Sequence, residues 1–272
     1  MIKGQKVVVL GGTGMIGSLA VSSLARAGID VVSASRRSNV NILTGEGLDA
    51  ALAGADTVID TTDVSNFDSD TLKNFFRESG EKIFAAERKA GIRHHITLSI
   101  FGVDQVRGNP YFDAKLMQED MVRSSTIPYT ILRSTQFYEF LPTIASGLMA
   151  GDAIRLPHAL FSPVAAADVG AALASLAQHD PVNAAVSIAG PEVAPFEAWV
   201  RRFLAVIEDT RRVVTDDAAT YFGGKLERYS IAPAIPDMKG ASTFDDWMTS
   251  PAAKALKTDR YAHAAAAMDR HA

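Results

Sequence analysis

Four consecutive apolar residues, Val7-Val8-Val9-Leu10, run without a break into Gly11-Gly12-Thr13-Gly14-Met15-Ile16-Gly17, and a helical pattern carrying Leu19, Ala20 and Leu24 follows at once. A strand, a glycine turn and a helix in that order constrain the fold more than any other feature of the chain. The glycines read both as G-x-G-x-x-G from Gly12 and as G-x-x-G-x-x-G from Gly11. Such spacing suits a tight turn in which helix packs closely on strand and the backbone is open to a pyrophosphate. The unpaired first amides of the helix and its positive dipole end then face the anion. Gly11, Thr13, Gly14, Met15, Ile16 and Gly17 are therefore expected to hold a dinucleotide, the simpler alternative being a structural turn. No Gly-Lys-Ser/Thr follows at the spacing of a Walker A loop, so that nucleotide site is excluded.

The first half continues the same alternation. Strands are predicted at Lys6 to Leu10, Asp30 to Ser35, Asp56 to Thr61, His95 to Ser99 and Tyr129 to Leu132. Helices are predicted at Met15 to Ala27, Asp68 to Ala90 and Pro110 to Ser124, with a short turn near Leu48 to Leu52. Nearly continuous apolar strands separated by long crossovers describe an α/β fold, a doubly wound parallel sheet covered on both faces (Rossmann). A helix after Asp168, a strand at Ala185 to Ile188 and a helix near Pro195 bring the expected sheet to six or seven strands. Beyond about Gly190 the pattern weakens into a glycine- and proline-punctuated segment rich in aromatics. Residues 1–190 are thus read as the dinucleotide-binding domain and 191–272 as a small C-terminal substrate lobe and tail; the alanine-rich Ala252 to Ala272 has helical propensity without an apolar stripe.

Composition removes several functions. With 27 basic and 31 acidic residues the net charge is −4, lacking the basic excess that nucleic-acid binding needs. Cysteine is absent, which excludes disulfides, thiolate nucleophiles and cysteine metal sites, and a cytoplasmic location is expected. Met1 to Leu10 is too short in apolar residues for a signal-peptide core, and Pro163 to Ala177, interrupted by Asp168, is too short for a membrane span. The expected partner is a small molecule, with no metal, nucleic acid or membrane; composition leaves the oligomeric state open.

The second strand ends in Ser35-Arg36-Arg37, where an NAD-binding chain of this kind carries an acidic residue for the ribose hydroxyl. A guanidinium instead holds a 2′-phosphate with paired charged hydrogen bonds, so Arg36 and Arg37 point to NADP(H), unless they are only a solvated loop. After the fourth strand, which ends at Ser99, Asn109 can cap a helix that Pro110 opens, placing Tyr111 and Lys115 one turn apart on one face. An ammonium near a phenol favours the phenolate and makes the tyrosine a proton donor or acceptor near neutral pH, and it can also hold the nicotinamide ribose. Ser99 would set its hydroxyl beside the same carbonyl oxygen. The spacing alone is weak evidence, since Tyr221 and Lys225 repeat it in the second lobe, where the pair is read as a decoy. Thr61, Thr62 and Asp63 are placed to touch ribose or adenine. Phe101, Phe137, Tyr138 and His158 are candidates for the substrate side, core packing being the plain alternative for the aromatics. His94 and His95 open a strand at its amino end, as core or surface histidines do, and Asp168 reads as a charge stabilising a helix start.

Together, the glycine turn, Ser35-Arg36-Arg37, Gly54-Ala55-Asp56-Thr57-Val58-Ile59-Asp60, Pro110-Tyr111-Phe112-Asp113-Ala114-Lys115 and Pro163-Val164-Ala165-Ala166-Ala167-Asp168-Val169 resemble the atypical short-chain dehydrogenase/reductases, in their NmrA-like, NAD(P)H-binding branch. The likeness runs from about residue 5 to 228. It implies a Rossmann domain with a small carboxyl-terminal substrate lobe, NADP(H) as ligand, and either carbonyl, quinone or ether reduction or a non-catalytic role in sensing the nicotinamide redox state. Many members of that branch lack the tyrosine, so Tyr111 favours catalysis. The expectation is an NADPH-dependent reductase of a carbonyl or quinone with Tyr111 as proton donor. An NADP(H)-sensing regulator is the alternative, and a sugar-nucleotide epimerase is disfavoured by Arg36 and Arg37.

Overall fold

A computed structural model describes residues 5–64, 68–251 and 253; the tail expectation therefore lies almost wholly outside the described residues. The elements are β1 (Lys6–Leu10), α1 (Met15–Arg26), β2 (Asp30–Ala34), α2 (Leu48–Leu52), β3 (Thr57–Asp60), α3 (Ser69–Ala90), β4 (His94–Ile100), α4 (Pro110–Ser124), β5 (Tyr129–Ser134) and α5 (Leu141–Gly147). There follow β6 (Met149–Ala150), β7 (Ala153–Leu156), β8 (Leu160–Phe161), α6 (Ala166–Leu176), β9 (Ala184–Ala189), β10 (Ala194–Pro195), α7 (Phe196–Val206), β11 (Arg212–Thr215), β12 (Met238–Lys239) and α8 (Phe244–Met248).

Seven parallel strands form the main sheet in the order β12-β9-β5-β4-β3-β1-β2. Alternation along β1 divides its side chains between two apolar layers. Val7 and Val9 pack with Ile16, Ala20 and Leu24 of α1 and Val169 and Leu173 of α6. Val8 and Leu10 pack with Leu48 and Leu52 of α2, Ile83 and Phe84 of α3 and Val122 of α4. Both faces are thus covered, which is why the strands read as unbroken apolar runs. From β1 the chain steps outward to β2 and then returns to β3 on the other side. The carboxyl ends of β1 and β3 therefore flank the switch point, where ligands of open α/β sheets bind.

The smaller layer holds a three-stranded sheet, β11-β7-β6, and the β8-β10 pair. Its core is aromatic: Tyr138, Phe161, Phe196, Trp199, Tyr221, Phe244 and Trp247 are buried together with Phe112 of α4. Chain returns tie it to the main sheet. Strand β12 pairs with β9, supplying the seventh strand from a stretch without strand patterning, and the Asp168 carboxylate accepts Ser242 N at 2.9 Å and Ser242 Oγ at 3.1 Å. Helix α6 starts at Ala166, so Asp168 lies in its first turn and also anchors this return.

The histidines at the start of β4 are core residues. His95 lies between Glu87 Oε1 at 2.8 Å and Thr97 Oγ1 at 2.6 Å, and His94 Nε2 lies 2.8 Å from Thr130 Oγ1. Burial, aided by neighbouring His95, pushes the His94 pKa down from 6.5 to about 4. Because the unfolded chain binds this proton first, His94 costs stability as pH falls from 6.5 towards 4. Urea unfolding of the native protein against His94→Gln should show the native lose about 2 kcal/mol relative to the variant between pH 7 and pH 5. A pH-independent difference would contradict the buried neutral state.

Candidate active site

Each glycine of the first turn meets a backbone or side chain where a Cβ would stand. A Cβ on Gly11, whose φ is +74°, would lie 2.9 Å from Thr61 O, and one on Gly12 would lie 2.5 Å from Ser33 Oγ; one on Gly17 would collide with Gly11 O. Gly14 caps α1 with no side-chain hydrogen bond, and the first turn holds no acidic residue. Thr13, Gly14 and Met15 are exposed, whereas Ile16 and Gly17 are buried against the sheet. This cradle fits a dinucleotide pyrophosphate: close backbone, amides without side-chain caps and no competing carboxylate. Arg36 and Arg37 follow β2 in a single 3₁₀ turn in which Ser35 Oγ accepts Arg37 N. Both are exposed, and among the described residues neither forms an ion pair.

Across the switch point, Thr61 Oγ1 donates to Leu10 O at 2.8 Å and packs beside Gly11 and Gly17, while Thr62 N and Oγ1 donate to Asp60 Oδ1 at 2.9 and 2.6 Å. Two residues beyond Thr61, the Asp63 carboxylate accepts the phenolic hydrogen of Tyr111 at 2.6 Å. The phenol is therefore tied to the same loop whose Thr61 packs on the glycine turn.

Helix α4 presents Tyr111 because Asn109, as its cap, accepts Tyr111 N at 3.0 Å and Phe112 N at 3.2 Å. One turn on, Lys115 is buried, donating to Leu98 O at 2.7 Å and to Gln118 Oε1, with its ammonium 4.9 Å from the centre of the Phe76 ring. Gln118 Nε2 in turn donates to Asp60 Oδ2 at 3.0 Å, so a neutral amide separates a buried carboxylate from a buried ammonium. Burial lowers the Lys115 pKa, against the raising pull of Asp63, Asp60 and Glu119. For Tyr111, burial and Asp63 both act upward, and the phenol stays protonated well beyond its usual range.

Ser99 is held differently. Its hydroxyl donates to Glu119 Oε1 at 2.6 Å, and the same buried carboxylate accepts Arg133 Nε at 2.9 Å, Arg133 Nη2 at 2.8 Å and Arg123 Nη2 at 2.6 Å. The remaining substrate-side candidates are dispersed. Tyr138 is fully buried against Trp199, Phe244 and Trp247, Phe137 packs on the α1/α6 side of the sheet, Phe101 is half-buried after β4, and His158 is exposed between β7 and β8.

Tyr221 and Lys225 do not form a pair, since Tyr221 is buried and Lys225 exposed. The segment nevertheless lies closer to the site than its place in the chain implies, because Asn109 Nδ2 donates to Tyr221 O at 3.2 Å. Asp60, Gln118, Glu119 and Arg133 were missed. Their signal was present: Lys115, Gln118, Glu119 and Val122 form the buried stripe of α4, and three polar residues on such a stripe need buried partners.

Fold and site together define a Rossmann dinucleotide-binding protein. The chain belongs to the NAD(P)H-binding family, whose model matches residues 11–180, in keeping with the resemblance to the atypical short-chain dehydrogenase/reductases. It is 27% identical over 205 residues to the (4-alkanoyl-5-oxo-2,5-dihydrofuran-3-yl)methyl phosphate reductase of Streptomyces griseus, covering 68% of each chain. It is 28% identical over 151 residues to the photosystem II assembly factor Ycf39 of Trieres chinensis, a match covering 50% of this chain and only 47% of that protein. Among solved structures, a short-chain dehydrogenase/reductase superfamily protein of Agrobacterium tumefaciens with bound NAD superposes with a TM-score of 0.68 at 17% identity, over 94% of this chain and 100% of that one. The family is NAD(P)H-binding. Among the described residues no helix is long and apolar enough to cross a membrane, and no group of three His, Asp or Glu is placed to hold a metal ion.

Proposed function

We propose that the protein is an NADPH-dependent oxidoreductase that reduces a carbonyl or quinone group of a small molecule, with Tyr111 as the proton donor. The supporting observation is the Tyr111 phenol held at the end of β3, two residues from Thr61, which itself packs on the glycine turn. NADPH, when bound, supplies the hydride. The first-turn amides of Met15 and Ile16 and the dipole of α1 would hold the pyrophosphate, and Arg36 and Arg37 would take the 2′-phosphate. Tyr111 passes its proton to the substrate oxygen, and the buried Lys115 ammonium opposes the cost of the phenolate that remains. The name of the Streptomyces relative is that of a reductase, which agrees with this chemistry. Consumption of NADPH and of NADH against a panel of quinones, aldehydes and ketones tests it; no consumption with any of them would reject it.

A second reading, an NADP(H)-sensing regulator without turnover, draws on the Ser99 hydroxyl, which is engaged by Glu119 rather than presented to a substrate. The assembly-factor name of the Trieres relative fits that reading better. The same panel separates the two.

Cofactor choice follows from the arginines. NADPH should bind about tenfold to a hundredfold more tightly than NADH, the worth of one charge-assisted hydrogen bond or two. Replacing Arg36 and Arg37 together by alanine should remove most of that ratio in equilibrium titrations of cofactor fluorescence. Equal native affinities would contradict the assignment.

A further inference from the structure

The loop after β3 turns in three steps. Thr61 packs on the glycine turn, Thr62 bonds back to Asp60, and Asp63 turns outward, exposed to solvent. Val64 N donates to Asp63 Oδ1 at 2.8 Å, which fixes the carboxylate from behind and leaves Oδ2 for the Tyr111 hydroxyl at 2.6 Å. Resting on the reading of Tyr111 as proton donor, we propose that Asp63 is a further member of the catalytic site: it keeps the phenolic hydrogen in the resting protein and yields it to the substrate oxygen during reduction.

The consequence is a restraint on proton transfer. A hydrogen bond to a carboxylate is roughly twice as strong as one between neutral groups, so a neutral substrate oxygen competes with Asp63 for the same hydrogen. The charged group that acts on the phenol is Asp63 in the loop after β3, and Asp63, Asp60 and Glu119 act in turn on the Lys115 ammonium one turn along α4. Asp63 opposes the phenolate, and the expected lowering of the phenol by Lys115 is not what the site shows, since the ammonium is turned to Leu98 O and Gln118. Burial and Asp63 together keep the phenol protonated well above the usual range. In the step itself the Tyr111 O–H bond breaks and an O–H bond forms on the substrate oxygen, while the carbonyl carbon receives the hydride that NADPH supplies. The tyrosinate then regains its proton from water at the exposed mouth of the site, and the buffer neutralises the hydroxide released.

Two variants and two readouts test this. Tyrosinate absorbance is titrated in the native protein, in Asp63→Asn and in Asp63→Glu, each corrected by subtracting its counterpart carrying Tyr111→Phe. Asp63→Asn should bring the phenol's ionisation to lower pH, and Asp63→Glu should restore much of the native behaviour. With saturating NADPH and any accepted substrate, kcat of Asp63→Asn near neutral pH should rise on the order of threefold to tenfold, with its alkaline limb moved down in step. An unmoved phenol titration in Asp63→Asn, or a lowered kcat with an unmoved limb, would overturn the inference. Full turnover in Tyr111→Phe would instead reject the proton-donor reading, whatever Asp63 does to the phenol's titration.

Discussion

Replacing Tyr111 by phenylalanine is expected to lower turnover about 10²- to 10⁴-fold, the usual contribution of a positioned acid, while NADPH affinity stays near native. The ring keeps its place, since Tyr111 packs against Leu72, Phe76 and Ala114 and only the hydroxyl is lost. Lys115→Met should damage both quantities on the roles proposed for the ammonium, towards the nicotinamide ribose and towards the phenolate. Tyr221→Phe is the matched control. Its phenol is buried and has no hydrogen-bond partner among the described residues, so removing that oxygen should leave turnover unchanged. Steady-state kinetics on one accepted substrate decide the matter. Full activity in Tyr111→Phe would pass the proton to water or another group, and a collapse in Tyr221→Phe would mean that the wrong tyrosine had been assigned.

The largest effect on stability is expected at Glu119. Its buried carboxylate receives Ser99, Arg133 twice and Arg123, and this pairing holds the Arg133 guanidinium charged even more firmly than usual. Among the described residues, Glu119→Ala leaves the partly buried Arg133 with the exposed Asp104 as its one remaining ion-pair partner and strands the Ser99 hydroxyl. Removing one partner of a buried pair costs about 3–5 kcal/mol, more than the pair itself contributes relative to apolar residues. The double variant Glu119→Leu with Arg133→Met should therefore recover much of the loss in urea unfolding. A single-variant loss below about 1 kcal/mol would show that water reaches the network.

The main sheet was legible because apolar runs at strand length and apolar stripes at helical spacing report burial directly. Strands β1, β2, β3, β4 and β5 and helices α1, α3 and α4 lie within two residues of their expected bounds. The short strands β6, β8, β10 and β12 carry no period to read, having two residues each, and they exist because neighbouring backbone needs partners. The glycine turn and the Tyr111–Lys115 face were legible from chemistry at a fixed spacing. Three-dimensional partnerships were not: Asp63 reads as a ribose or adenine contact and meets Tyr111, and Ser99 reads as a carbonyl partner and meets Glu119. Both partners lie twenty or more residues away in the chain, and no local pattern links them. Tyr138 illustrates the same limit for aromatics, since a pocket wall and a core residue look alike until the packing against Trp199 and Trp247 is seen.

The most direct measurement follows deuterium from NADPH labelled at its hydride-bearing carbon, using any quinone, aldehyde or ketone that the native protein turns over. Deuterium on the reduced carbon of carbonyl products, one NADPH consumed per two-electron product, and loss of that transfer in Tyr111→Phe are the results predicted for a Tyr111-dependent reductase. NADPH that binds tightly yet transfers no label to any compound of the panel would contradict it and leave a protein that reads the cofactor without using it.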